Sequence, residues 1–402
     1  MRQLLFPDNA QFWFETLRMF GAIAYGGADF GEVLTTSDRI AEGDYESWYA
    51  EWTATADWVA AEGEKALKGG HRVSARDAFL RASNYYRSAE FFLHSHTPDP
   101  RHEHAYARSV ECFRAAAGLF EPAIQPVEIP YGGTTLSGYF YRVDNSGAAR
   151  PTLIMHSGFD GSAEEMHFGG VAAAVERGYN VLVFDGPGMP SATHGKGLPF
   201  RPDWENVVGP VVDYAQTRPE VDNDKIALVG VSLGGELAPR AAAFEHRLAA
   251  LVAVDGVYDA RVALMAGQTD DETLRRLRTD DDPELDQFLA NGMAASETMR
   301  WALNHGMFVT GTATPRAFLA SMVDYHLGDG VAELIQCPTL VCKAADDLFF
   351  TCQPEALYEH LTCAKTMLEF TAAEGADAHC HVGAQRLAFA RVCDWLDDTL
   401  AV

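Results

Sequence analysis

Through residues 1–121 apolar side chains recur at three- and four-residue spacing. Trp48, Trp52, Ala56 and Val59 make one stripe, and Ala75, Phe79, Ala82, Tyr86 and Ala89 make another. This is the one-sided pattern of packed helices, and no strand-like alternation interrupts it. Aromatics are dense here (Phe12, Trp13, Phe14, Tyr85, Tyr86, Phe91, Phe92). Most are expected in a helix–helix core, with a few left to face a cleft. Near Glu121-Pro122 the period changes. Val127–Tyr131 and Thr135–Tyr141 alternate about Gly132-Gly133 like a hairpin. Strands then alternate with helices: Pro151–Met155, a helix over Ala163–Glu176, Tyr179–Phe184, a helix over Asp203–Thr217, Ile226–Val229, a helix from Glu236, and Leu251–Val254. Such alternation predicts a parallel sheet covered by helices on both faces. Residues 257–335 break the rhythm. They read as helical, with the acidic stretch Thr279–Glu284, and as an insertion that caps the sheet's C-terminal edge. Strands return at Pro338–Cys342 and Thr366–Phe370, before an amphipathic helix over Ala384–Leu396. The expected division is a helical segment over 1–121 and an α/β domain over 122–402.

Charge and cysteine usage narrow the partners. The chain has 402 residues and a formal net charge of −26. That balance argues against nucleic acid and anionic membrane surfaces, since no long-range attraction draws them in. No run of 18 or more apolar residues occurs, so no membrane span is expected, and Met1–Asp8 lacks the apolar core of a secretory signal. The seven cysteines are odd in number and contain no C-x-x-C pair. Reduced thiols in a cytoplasm fit that pattern, and neither a metal nor a cofactor is expected. His94, His96, His102 and His104 surround Thr97-Pro98-Asp99-Pro100 and read as a solvated interhelical loop.

The candidate chemistry sits at Gly230-Val231-Ser232-Leu233-Gly234, between an apolar strand and a helix-prone stretch. In that context G-x-S-x-G is a nucleophile turn: the glycines clear the tight crossing, and the serine hydroxyl stands at the strand tip. A serine hydroxyl is a weak nucleophile and needs a base within reach and an acid to orient that base. The acid is expected in the loop after a late strand, where Asp347 is favoured by its distance from the strand end and Asp346 is the alternative. A second layout puts the acid one strand earlier, at Asp255 or Asp259. The base is expected between the last strand and the last helix, where His379 and His381 both qualify. Oxyanion donors are expected from the Leu233 N–H and, after the Pro151 strand, from the Phe159 N–H, with Gly158 letting that loop bend.

Ser232 in its elbow, Phe184-Asp185-Gly186-Pro187-Gly188, and Glu374-Gly375-Ala376 with His379-Cys380 resemble α/β-hydrolases of the prolyl-oligopeptidase-related kind. With the helical front segment, the layout is similar to 2,6-dihydroxypseudooxynicotine hydrolase and the fungal hydrolases that shorten polyketide chains. The resemblance implies an α/β-hydrolase fold, a mostly parallel sheet with an N-terminal helical domain and a helical cap insertion. It also implies a triad of Ser232, Asp347 and His379, the first His of the His-Cys run. Lys343-Ala344 stands where His-Gly is usual, and the 257–335 insertion looks longer.

The implied activity is hydrolysis of a small organic carbonyl compound, foremost of a C–C bond beside a ketone. Esterase, thioesterase or acyl-peptide hydrolase activity would use the same groups. A non-catalytic small-molecule receptor is the alternative from another class. The site is expected as a closed chamber between the sheet's C-terminal edge and the helical segments 1–121 and 257–335. Its lining is expected to include His156, Phe159, Tyr258 and Met265, with His381 beside the base. A small-molecule substrate is the expected partner, and a homodimer is one assembly open to the chain.

Overall fold

The computed structural model describes residues 3–94, 99–265, 267–279 and 281–401. His96 and Asp280, singled out above, lie outside these residues. The first strand is preceded by α1 (Ala10–Ala22), α2 (Phe30–Ser37), α3 (Tyr45–Lys68), α4 (Arg72–Glu90) and α5 (Pro100–Ala117). Local chemistry starts them. Asn9 accepts from the Phe12 N–H, Asp44 from those of Glu46 and Ser47, and Asp99 from that of Arg101, with Pro100 opening α5. Tertiary packing holds them. The expected stripes are buried, and Trp48 and Trp52 have no exposed surface. Truncating either to Ala would cost roughly 3–5 kcal/mol.

The strands are β1 (Gln125–Tyr131), β2 (Thr134–Tyr141), β3 (Arg150–His156), β4 (Asn180–Phe184), β5 (Val221–Val231), β6 (Ala250–Val254), β7 (Thr339–Ala344) and β8 (Lys365–Phe370). They form one sheet in the order β1-β2-β4-β3-β5-β6-β7-β8. β1 and β2 pair as the expected hairpin, closing at Tyr131↔Thr134 through Gly132 and Gly133, whose φ angles of 49° and 85° suit glycine. β2 meets β4 antiparallel, and the remaining pairs are parallel.

The crossovers and insertion follow as α6 (Val171–Glu176), α7 (Pro190–Lys196), α8 (Glu205–Gln216), α9 (Gly234–Ala242), α10 (Ala260–Leu264), α11 (Asp271–Leu277), α12 (Pro283–Ala295), α13 (Glu297–Thr310), α14 (Pro315–Ser321), α15 (Gln353–His360) and α16 (Gln385–Leu400). The helix expected over Ala163–Glu176 is in fact a short 3-10 turn at Glu165–His167 and then α6. Gly169-Gly170 separates them, and Gly170 takes a φ of 128° that no helix contains.

Side chains alternate along the strands and divide the core in two. Leu153, Met155, Val181, Val183, Val229 and Val252 face the N-terminal helices, α6 and α16. Ile154, Leu182, Leu228, Leu251 and Ala253 face α8, α9 and the 257–335 insertion. Two contacts bring the helical segments over the sheet's C-terminal edge. From α1, Trp13, Phe14 and Leu17 pack on Ala378 and Val382. From α13, the Trp301 ring stacks on Phe91 at 4.7 Å, and its Nε1–H donates to the Phe91 carbonyl at 3.0 Å. Among the described residues no helix is long and apolar enough to cross a membrane.

Candidate active site

β5 ends at Val231, and Ser232 turns the chain into α9 with a φ of 63°. A left-handed non-glycine residue costs roughly 1–3 kcal/mol and is held only by its surroundings. Here the Ser232 N–H donates to the Val254 carbonyl of the neighbouring strand. The close crossing explains the glycine at 230, where a Cβ would lie 2.0 Å from the Gly234 carbonyl oxygen. Gly158 has the same explanation, because its Cβ would lie 2.5 Å from the Leu233 nitrogen. The loop after β3 therefore rests directly on the elbow and brings Phe159 beside Leu233.

His379 opens a short turn between β8 and α16, and the residue is 6% exposed. Its Nε2 lies 2.9 Å from Ser232 Oγ, and its Nδ1 lies 2.9 Å from Asp347 Oδ2. Asp347 Oδ1 accepts the N–H groups of Phe349 and Phe350 at 2.7 and 3.0 Å. Hydroxyl, imidazole and carboxylate are thus joined in series. Burial pushes the Asp347 carboxyl up, but the facing imidazole and the backbone donor outweigh it and hold the group below the usual carboxylate range. Burial pushes His379 down, and the Asp347 charge outweighs that and lifts the imidazole well above its ordinary value. Phe14, Phe349 and Phe350 ring the imidazole, with centroids 6.2, 4.9 and 5.4 Å away.

Asp255 is a second carboxylate under the same imidazole and is fully buried. Its Oδ2 accepts the Cys380 N–H at 2.8 Å and lies 3.4 Å from His379 Nδ1. Burial raises its pKa. Both carboxylates therefore reach the histidine, with Asp347 the nearer. Asp346 is exposed, and Asp259 caps α10 and pairs with Arg261, clear of the imidazole. Cys380 Sγ lies 3.2 Å from His379 Nε2, and burial pushes its thiol pKa up. Asp255, His379 and Cys380 have donor atoms close enough to hold a metal ion, but these are the groups just described.

Of the remaining candidates only His381 stays at the site, its Nε2 lying 3.4 Å from Asp255 Oδ1. His156 is fully buried, with Nδ1 bonded to the Ser157 carbonyl at 2.7 Å and Nε2 accepting from Trp204 at 3.3 Å. Both nitrogens are spent, burial pushes its pKa down to about 4, and it supports the loop from below instead of lining a chamber. His381 has no exposed surface. Its Nδ1 donates to the Ala376 carbonyl at 3.2 Å, and its ring packs on Phe370. Tyr258 stacks on His360 at 4.3 Å, a partly exposed residue paired with Glu333, so its ring turns outward. Met265 is buried among the helices of the insertion.

Three contacts that the sequence had not revealed brace the Phe159 loop. The Phe159 carbonyl accepts from His305 Nε2 at 2.8 Å. Asp160 pairs with Arg18 Nη1 at 3.2 Å. Arg18 also bridges to Glu165, and Arg87 stands behind at 3.6 Å. These residues are far apart in sequence, and no local signal joins them. The His94/His102 loop also departs from expectation: both side chains are buried, because α13 brings His305 against His94.

Residues 153–392 match the alpha/beta hydrolase family, and residues 33–269 match an esterase family described as FrsA-like. The chain is 36% identical to hydrolase acrC of Aspergillus aculeatus, covering 97% of each chain. It is 34% identical to the 20-hydroxy-prefusarin hydrolase FUS2 of Gibberella moniliformis, again over 97% of each. Among solved structures it is similar to the 2,6-dihydroxy-pseudo-oxynicotine hydrolase, with a TM-score of 0.71, 23% identity and 95% of each chain covered.

Proposed function

Because the chain belongs to the α/β-hydrolase family and is a hydrolytic enzyme, we propose that Ser232, His379 and Asp347 are its catalytic triad. We further propose that it hydrolyses a C–C bond beside a ketone in a small polyketide-like compound. The hydrogen-bonded series from Ser232 Oγ through His379 to Asp347, 2.9 Å at each step, carries this reading. His379 Nε2 takes the Ser232 proton as the hydroxyl attacks the substrate carbonyl. The Leu233 and Phe159 N–H groups receive the developing oxyanion. Collapse of the tetrahedral intermediate breaks the bond to the neighbouring carbon, which leaves as an enolate and takes the proton from His379. Water, deprotonated by the same nitrogen, then releases the acid from Ser232 and restores the enzyme. Asp347 stays ionised throughout and stabilises the imidazolium.

The identity to the 20-hydroxy-prefusarin hydrolase supports a compact natural-product substrate. The aromatic ring of Phe14, Phe349 and Phe350 supports an enclosed, partly apolar site. A second reading, an ester or thioester as substrate, is favoured by the match to the FrsA-like esterase family. A panel of 1,3-diketones and matched esters, with products read by mass spectrometry, separates the two. Ser232→Ala should lower kcat on the cleaved class by at least about 10³-fold while the fold is kept. Retained turnover in that variant would sink the mechanism. A wild-type protein that no fluorophosphonate labels would instead indicate a receptor.

A further inference from the structure

Glu90 at the end of α4, His102 in α5 and His194 in α7 converge on one point behind the Phe159 loop. One donor atom from each lies within 4.8 Å of the others. Glu90 and His102 are each only 4% exposed. Glu90 Oε2 lies 2.5 Å from His102 Nε2 and 2.6 Å from Nε2 of His94, which stands just beyond α4.

Four further observations bear on what this cluster holds. His102 Nε2 is buried and, for all its closeness to Glu90, makes no hydrogen bond of proper geometry. His194 Nδ1 is bonded to Glu103 Oε1 at 2.9 Å, which leaves Nε2 as its free donor. A carboxylate on the far nitrogen is the usual support of a metal-binding imidazole. Beside the cluster, a void of about 10 Å³ is bounded by Glu90 and His194 together with His94, His305 and Phe159, with His102 outside its lining. That volume admits a single water-sized occupant. Finally, a cleft of about 400 Å³ between α5, β2 and α7 reaches His194 and is lined by Glu103, Glu111, Glu164 and Asp185, alongside Arg114 and Lys196. Glu103 and Glu111 are exposed and Glu164 and Asp185 buried, so carboxyl groups line a path inward for a cation.

We infer that Glu90, His102 and His194 bind one divalent transition-metal cation of the zinc class, tying α4, α5 and α7 together. Two imidazoles with one carboxylate are a borderline donor set that suits zinc, whereas magnesium and calcium call for oxygen ligands throughout. On binding, the metal gains one oxygen and two nitrogen donors, and any proton held between Glu90 and His102 leaves to solvent. His94 and His305 then link the cation to the Phe159 carbonyl, so its occupancy is read by the loop beside Ser232.

The test is a titration of chelator-stripped full-length protein with Zn²⁺ by calorimetry, and with Co²⁺ followed by its visible absorption. One saturable equivalent is expected, with no competition from Mg²⁺. His194→Ala and His102→Ala should lose it. Glu103→Gln, a change at an exposed side chain that should leave the fold intact, should weaken it about 10- to 100-fold. His379→Ala should retain it, which separates this site from the cluster around Ser232. Failure of the stripped wild type to take up an equivalent overturns the inference. So does an equivalent that survives in folded His194→Ala with Glu103→Gln at wild-type affinity, or one that disappears in His379→Ala.

Discussion

Asp347→Asn asks which carboxylate orients His379, and its outcome follows from how Asp347 is held. Oδ1 already accepts two backbone N–H groups, at 2.7 and 3.0 Å, and Oδ2 faces His379 Nδ1 at 2.9 Å. An asparagine must keep its oxygen on the backbone donors, so its NH₂ turns toward the imidazole. Nδ1 then has to accept, the ring proton moves to Nε2, and Nε2 cannot take the Ser232 proton. A wrong tautomer of this kind costs about 10⁴ in kcat in the triad of chymotrypsin-like enzymes. Asp255 limits the loss, because its Oδ2 lies 3.4 Å from the same nitrogen. It is an inferior substitute at neutral pH, since burial raises its pKa even once the Asp347 charge beside it is gone. The expected loss is therefore about 10³- to 10⁴-fold at pH 7. Part should be recovered at higher pH as Asp255 ionises, and none in the Asp347→Asn, Asp255→Asn double variant. The assay is kcat against pH for wild type and the two variants, with fluorophosphonate labelling rates as a substrate-independent check. A single Asp347→Asn variant within tenfold of wild type at pH 7 would refute the reasoning. In the wild type, kcat/KM should rise with pH through a midpoint above the ordinary histidine value of about 6.5, because Asp347 lifts His379.

Other expectations follow from the same geometry. His379→Ala should abolish turnover, whereas His381→Ala, which leaves the Ser232 contact untouched, should keep a measurable rate; the reverse order in steady-state kinetics would exchange their roles. His305→Ala removes the donor on the Phe159 carbonyl and should lower kcat roughly 5- to 30-fold, the equivalent of 1–2 kcal/mol, with KM little changed; an unchanged kcat would mean that the loop is held by Arg18 and Gly158 alone. Glu236 is fully buried in α9, and burial pushes its pKa to about 8. Because the folded value is the raised one, its contribution to stability is complete below about pH 4.5 and is lost as pH rises to about 8. Glu236→Gln should therefore melt higher than wild type at pH 9, by an amount on the order of 3–5 kcal/mol of stability, and show a much smaller advantage at pH 5; equal melting curves at both pH values would place no ionisation at Glu236.

How much of this was legible depended on whether the information was local. The Ser232 elbow was readable because strand, glycines and helix are consecutive. The parallel sheet was readable because each strand is a short apolar run followed by a helical period. The base was not fixed by spacing, since His379 and His381 are two residues apart in one loop. The left-handed backbone of Cys380 and His381, with φ of 51° and 56°, turns the second histidine away from Ser232, onto Phe370 and toward Asp255. Nor was the acid fixed, because β6 and β7 are neighbours and deliver Asp255 and Asp347 to the same imidazole. His156 and Tyr258 were expected at the site because they follow the right strands. Trp204 and His360, distant in sequence, claim them instead. The polar, proline-flanked run at His94 and His102 read as solvated for a similar reason, as its cover comes from α13.

The helical segments are tied to the Phe159 loop, not merely laid over it. The backbone that offers the Phe159 N–H is held on one side by Arg18 of α1 through Asp160 and on the other by His305 of α13 through its own carbonyl. Trp301, four residues before His305 on the same helix, is hydrogen-bonded and stacked to Phe91 beyond α4. A shift of either helical segment would therefore move the proposed oxyanion donor relative to Ser232. Donors must sit close to the position of the developing charge to be effective, so displacements of about 1 Å are felt in the rate. Several charged groups are buried or half-buried there. Arg18, Arg87, Glu15, Asp160 and Glu165 form a network that ties α1 and α4 to the loop. Such a network adds little net stability beyond what apolar side chains of equal volume would give, but it permits few alternative packings. In this fold the restriction falls on the loop that, under the proposed mechanism, has to hold its position relative to Ser232 to a fraction of an ångström.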